Sequence, residues 1–173
     1  MLPTSHQFPQ SLESVDRAHV VGHPHGDDPL ASDVVGTTPA YGLATVTAMT
    51  LIIFLVEDSE TIRDNLIPTI EELVGASVVK FVEGEGEARA WLRTNDNWHL
   101  AVVDLFLTEG SGLGVLRSLQ TRAERQRVVV LSNYATAEMK AQCTFLGADR
   151  VFDKSTELEA FLSYCAERAS TVA

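Results

Sequence analysis

Two adjacent carboxylates, Glu57 and Asp58, close the apolar run LIIFLV at positions 51–56. Further along, Asp104 sits in VVDLF (102–106), Ser132 ends RVVVLS (127–132), and Lys154 directly follows DRVFD (149–153). Taken singly each is ordinary, because an Asp after a strand commonly caps a helix, a Ser there turns the chain, and a Lys is usually a surface charge. Gathered at one place, three carboxylates would repel and raise one another's pKa unless a cation joined them. Oxygen ligands with retained water positions suit Mg²⁺, a hard cation that takes one or two carboxylates and leaves sites for phosphate oxygens. A divalent ion also lowers the cost of bringing an anionic phosphoryl group near acids. Asp104, between Val103 and Leu105, is expected to be fixed by a rigid strand, which suits a nucleophile. Lys154 is expected to pair with one phosphoryl oxygen as a point charge, and Ser132 to donate a hydroxyl hydrogen bond to another. The chemistry these residue types permit together is capture of a phosphoryl group on aspartate.

That reading requires elements that bring the residues to one edge. From residue 50 onward, short apolar runs alternate with amphipathic stretches, the pattern of a parallel sheet buried between helices. Strands are expected at 51–56, 77–82, 100–106, 127–132 and 149–153, and helices near 59–74, 85–94, 112–124, 135–146 and 156–168. The fold class is α/β: a (βα)5 doubly wound parallel five-stranded sheet, in which ligands bind outside the carboxyl ends of the strands. Ser59 is placed to cap the first helix, while Pro68 falls inside it and should kink it. Gly75 and Gly147 stand where helices should stop in a left-handed cap. Ala88, Trp91 and Leu92, and then Leu113, Leu116 and Leu119, fit helix faces packed on the sheet.

The 173 residues are 45% hydrophobic and 21% charged, which suits one packed domain, and the net charge of -11 argues against a general binder of nucleic-acid backbones. Residues 1–48 hold Pro3, Pro9, Pro24, Pro29 and Pro39 and no sustained apolar periodicity, and are read as a disordered N-terminal tail. Met49 directly precedes the first strand, which leaves open a natural start there, with the tail upstream of it. Within the tail, His23, His25, Asp27 and Asp28 have metal-ligand types but no defensible ligand spacing, so the tract is read as solvated and polar. Cys143 and Cys165 are too few for a disulfide framework and are expected to be buried free thiols of a cytoplasmic protein. The run Leu43–Val56 lacks a basic lead and is shorter than the roughly 20 residues of a membrane span, so no membrane association is expected.

With these motifs in order, residues 49–173 resemble the receiver domain of two-component response regulators, in VEDSE, VVDLFLTEGSGLGVL, VVVLSN and GADRVFDKS. The spacing agrees with receiver order: 46 residues from Asp58 to Asp104, 28 on to Ser132, and 22 on to Lys154. The resemblance implies a flavodoxin-like strand order 2-1-3-4-5. It also implies a phosphoryl group accepted on Asp104 from a sensor histidine kinase or a histidine phosphotransfer protein. Mg²⁺ would be held by Asp58, Asp104 and the backbone carbonyl of Phe106, with Glu57 helping through water. Ser132 and Lys154 would sense the phosphate and shift the face made by the fourth helix, fifth strand and fifth helix. Gly112 falls where receivers usually have glycine. Since the chain ends with the fifth helix, a stand-alone regulator is expected, signalling by contact with a downstream protein and without DNA binding or enzymatic turnover of its own.

Several positions depart from the receiver pattern. Thr108 replaces a common proline, which is expected to loosen its loop. Val151 replaces the aromatic switch residue, and Ser155 replaces the proline after the lysine, so no cis bond is expected there. Phe106 and Tyr134, each two residues past a site residue, are expected to shield an acyl phosphate from water. Two rival readings are a pseudo-receiver scaffold that is never phosphorylated, and a haloacid-dehalogenase-like phosphatase. The latter is suggested by Asp104 with Thr108 four residues on, but it lacks a second acid where Phe106 stands.

Overall fold

The structure, a computed structural model, describes residues 49–172. The proposed tail and the His23–Asp28 tract lie outside the described residues. Five strands, β1 (Ile52–Val56), β2 (Ser77–Val82), β3 (Leu100–Val103), β4 (Arg127–Ser132) and β5 (Arg150–Asp153), alternate with five helices. The helices are α1 (Glu60–Val74), α2 (Glu85–Leu92), α3 (Gly112–Ser118), α4 (Ala137–Phe145) and α5 (Leu158–Val172). The sheet has the order β2-β1-β3-β4-β5 and every pairing is parallel. This is the flavodoxin-like arrangement.

Alternation along the strands divides the core in two. Phe54, Val56, Ala101, Val103, Val128 and Val130 pack with Ala88, Leu116, Leu119 and Cys143 from α2, α3, α4 and their flanks. Ile53, Leu55, Leu100, Val102, Val129 and Leu131 pack on the other face with Leu66, Ile70, Phe161 and Cys165 from α1 and α5. Both faces are covered, which is why the strands read as nearly continuous apolar runs. Trp91 stacks on Phe54 with centroids 4.3 Å apart and an interplanar angle of 9°, a contact worth about 1 kcal/mol beyond its burial. Both cysteines are free and buried, and burial pushes the Cys165 thiol up to about 12.

The caps behave as the sequence predicts: Ser59 Oγ accepts from Ile62 N, and Gly75 adopts φ 68° while its N–H donates to the Glu71 carbonyl. Helix α1 continues through Pro68, which lies on the solvent face, so water reaches the carbonyl that loses its partner. The largest departures from the expected boundaries fall in three elements. Strand β3 stops at Val103 rather than 106. Helix α3 stops at Ser118 rather than 124, because the Arg122 guanidinium turns back to the Leu119 carbonyl and Gln126 Oε1 accepts from Ala123 N. Helix α5 begins at Leu158 and runs to Val172, because Asp153 draws the N–H groups of Ser155 and Thr156 into a turn before it.

At the opposite end of the sheet from the acids, buried His99 accepts the Ile52 N–H on Nδ1 at 3.1 Å. Burial, with Arg125 and Arg168 nearby, holds its pKa below 6.5. A depressed folded pKa gives stability that is complete above the unfolded value and is lost as pH falls toward the folded one. Urea stability should therefore decline as pH falls below the ordinary histidine value of about 6.5. His99→Gln should flatten the decline; an equal slope in the variant would remove His99 as its cause.

Candidate functional site

Glu57 and Asp58 follow β1, Asp104 follows β3, Ser132 ends β4 and Lys154 follows β5, so the sheet brings all five to its carboxyl edge. Asp104 stands one residue past its strand rather than within it. It is still fixed, since its N–H donates to the Val56 carbonyl at 2.9 Å and its Oδ1 accepts from Leu105 N at 2.6 Å. Glu57, Asp58 and Asp104 each offer an oxygen, all within 4.8 Å of one another.

The lysine supplies part of the cation that the sequence reading required. Lys154 Nζ lies 2.5 Å from Glu57 Oε2 and 2.7 Å from Asp104 Oδ2, with the lysine side chain only 9% exposed. Burial raises the Glu57 pKa, and the hydrogen bond and charge of Lys154 pull it back. Three carboxylates against one ammonium leave a formal charge of −2, which one divalent ion would cancel. The donor set is all oxygen, the chemistry of Mg²⁺ rather than of a softer metal. The Phe106 carbonyl accepts no hydrogen bond among the described residues, which leaves its oxygen available. Ser132 Oγ, fully buried, has no partner among the described residues either. Its carbonyl accepts from Lys154 N at 3.1 Å, which sets the serine beside the lysine.

Thr108 overturns the expectation of a loosened loop. Its N–H donates to Asp58 Oδ2 at 2.8 Å and its hydroxyl donates to the same oxygen. Those hydrogen bonds, the hydroxyl's first, hold the Asp58 carboxyl below its ordinary range. A proline could not supply the N–H. Sequence reasoning passed over Arg63 altogether. Its buried guanidinium donates to the Glu57 carbonyl at 2.9 Å, pairs with Glu83 at 2.7 Å and lies 4.9 Å from the Phe81 ring centroid. The available signal was a basic residue at the end of the first turn of the helix that follows the acidic pair. Gly112 has a steric cause: a Cβ there would sit 2.0 Å from the Asp104 carbonyl oxygen. At the rim, Phe106 and Tyr134 are exposed but touch each other, with centroids 4.4 Å apart.

The family model for the response regulator receiver domain matches residues 53–165, well over half of the chain. The chain belongs to the response regulator receiver family. Receivers are signalling domains rather than classical enzymes. The acid tolerance regulatory protein ActR of Rhizobium meliloti (strain 1021) is 30% identical over 90 residues, 52% of this chain and 46% of that protein, so the chain spans about half of that relative's length. Among solved structures, the Francisella response regulator 1452 receiver domain has a TM-score of 0.61 at 19% identity, covering 72% of this chain and 100% of that one. A Burkholderia pseudomallei response regulator solved with a phosphorylated aspartic acid, calcium ion and citrate has a TM-score of 0.59 at 24% identity, covering 70% of each chain. The phosphorylated cyanobacterial phytochrome response regulator RcpA has a TM-score of 0.54 at 25% identity, covering 72% of this chain and 94% of that one. No helix among the described residues is long and apolar enough to cross a membrane.

Proposed function

We propose that this receiver, taken as residues 49–173, accepts a phosphoryl group on Asp104 from the phosphohistidine of a sensor kinase or phosphotransfer protein. The observation that supports it most directly is Lys154 Nζ held 2.7 Å from Asp104 Oδ2 and 2.5 Å from Glu57 Oε2 inside the acidic cluster. An Asp104 carboxylate oxygen attacks phosphorus, a new O–P bond forms, the P–N bond to the imidazole breaks, and the electron pair leaves with the histidine nitrogen. The acceptor is pre-aimed by the Leu105 N–H on Oδ1, so little reorientation is needed on the way to reaction.

Asp58, Asp104, the Phe106 carbonyl and, through water, Glu57 would hold Mg²⁺, which when bound supplies positive charge against the phosphoryl oxygens. Lys154 exchanges its contact with Asp104 for a phosphoryl oxygen, and the unpartnered Ser132 hydroxyl gains an acceptor. Movement of Lys154 acts on β5 and on the Lys140–Glu157 pair, 2.8 Å apart, that ties α4 to the start of α5. That face is the proposed contact surface for a downstream protein, in a chain whose buried thiols fit the cytoplasm.

A small acyl-phosphate donor with Mg²⁺ should add one phosphoryl group by intact mass, removable by hydroxylamine and absent in chelator. Failure to label would favour the scaffold reading. The Phe106–Tyr134 contact crowds the approach of water, so Phe106→Asn should lose label several-fold faster than the parent. Equal lifetimes would remove the aromatic pair from the account.

A further inference from the structure

Asp58 and Thr108 are 50 residues apart in the chain, yet both backbone N–H and hydroxyl of Thr108 converge on one oxygen of Asp58. Asp58 is only half-buried and Thr108 is exposed, so without these donors the carboxylate would be free to turn toward solvent. Thr108 itself is anchored. The next residue, Glu109, bridges Gly84 in parallel fashion, and its carbonyl accepts from Glu85 N at 3.0 Å. The loop after β3 is thereby tied to the β2–α2 connection on one side and to Asp58 on the other.

A carboxylate has about four lone-pair positions over two oxygens, so two donors on Oδ2 leave the other oxygen for a cation. We propose that Thr108 is a positioning residue that fixes Asp58 as a ligand for a divalent cation, doing with a backbone amide and a hydroxyl what a proline at this position could not do. This rests on the reading of Asp58 as a cation ligand given above. Groups that orient a metal ligand from behind typically account for 10–100-fold in affinity. Here the orientation comes from two hydrogen bonds to a single oxygen of Asp58.

The test is calorimetric titration of the full chain with Mg²⁺ alone, in the parent, Thr108→Val and Thr108→Ser. Thr108→Val keeps the shape and the N–H but removes the hydroxyl, and should weaken Mg²⁺ by about tenfold; Thr108→Ser, which keeps both donors, should retain parental affinity. The backbone amide of residue 108, followed by NMR hydrogen exchange, should be protected without metal and stay protected when Mg²⁺ is added. Parental affinity in Thr108→Val overturns the inference. Tighter binding in that variant, or an amide that loses protection on adding Mg²⁺, also overturns it, since Thr108 would then compete with the cation. A parent that binds no Mg²⁺ overturns both this inference and the cation site it rests on, whereas binding that is indifferent to residue 108 overturns this inference alone.

Discussion

Lys154→Met should lower the stability of the metal-free protein by about 3 kcal/mol, read as a shift of the urea midpoint in chelator. The ammonium lies against two carboxylates whose side chains are 2% and 11% exposed. Removing one partner of a buried pair leaves uncompensated charge, a loss of typically about 3–5 kcal/mol. The lower end applies because Glu57, its pKa already raised by burial, takes up a proton more readily than an exposed glutamate. Methionine keeps most of the stem's packing, so the loss reports charge rather than volume. Mg²⁺ should then restore more stability to the variant than to the parent, since the bare cluster is more negative without the lysine. An unchanged midpoint would mean that the lysine does not hold the acids together.

Gly112→Ala should cost about 3 kcal/mol and depress phosphorylation of Asp104 at the same time. The added Cβ would fall 2.0 Å from the Asp104 carbonyl oxygen and 2.8 Å from Leu105 Cα, both backbone atoms with no flexible tail to yield. The helix cannot simply back away, because Gly112 N donates to the Leu105 carbonyl at 2.9 Å. Relief must come by displacing the acceptor segment itself. Gly75→Ala is the informative contrast. Nothing lies within 4 Å of its Cβ, and only φ 68° opposes the change, so the loss should be about 1 kcal/mol with phosphorylation intact. Denaturant unfolding and labelling yield on the two variants separate the effects. If both lose stability equally and both label normally, close approach at Gly112 is not what fixes Asp104.

The strands, and the convergence of the five candidate residues on one sheet edge, were legible because they depend on local pattern: apolar runs of strand length, four of them closed or followed by a residue able to carry charge or donate a hydrogen bond. Ser59, Gly75 and Gly147 were legible for the same reason, since a cap is set by residues within one turn. What escaped depends on partners far away in the chain. Thr108 reads as a weakened loop until Asp58, 50 residues earlier, is placed beside it. Arg63 reads as a surface charge on α1 until the fold brings Glu83 and Phe81 of the β2 edge over it. Helix α3 ends early because the Arg122 side chain also reaches the Gly147 carbonyl, a contact invisible to helical periodicity. The gathering of the three acids was legible, but the place of Lys154 between Glu57 and Asp104, where it is itself a neutralising charge, was not, because the sequence reading reserved the lysine for a phosphoryl oxygen.

The measurement closest to the central claim is intact-mass and peptide mapping of the parent and Asp104→Asn after incubation with a small acyl-phosphate donor and Mg²⁺. The account predicts a single hydroxylamine-labile phosphoryl adduct on Asp104 in the parent and none in the variant, with both proteins folded. An adduct that persists in Asp104→Asn, or a folded Mg²⁺-bound parent that takes no phosphoryl group from either the small donor or a phosphohistidine protein, would contradict it.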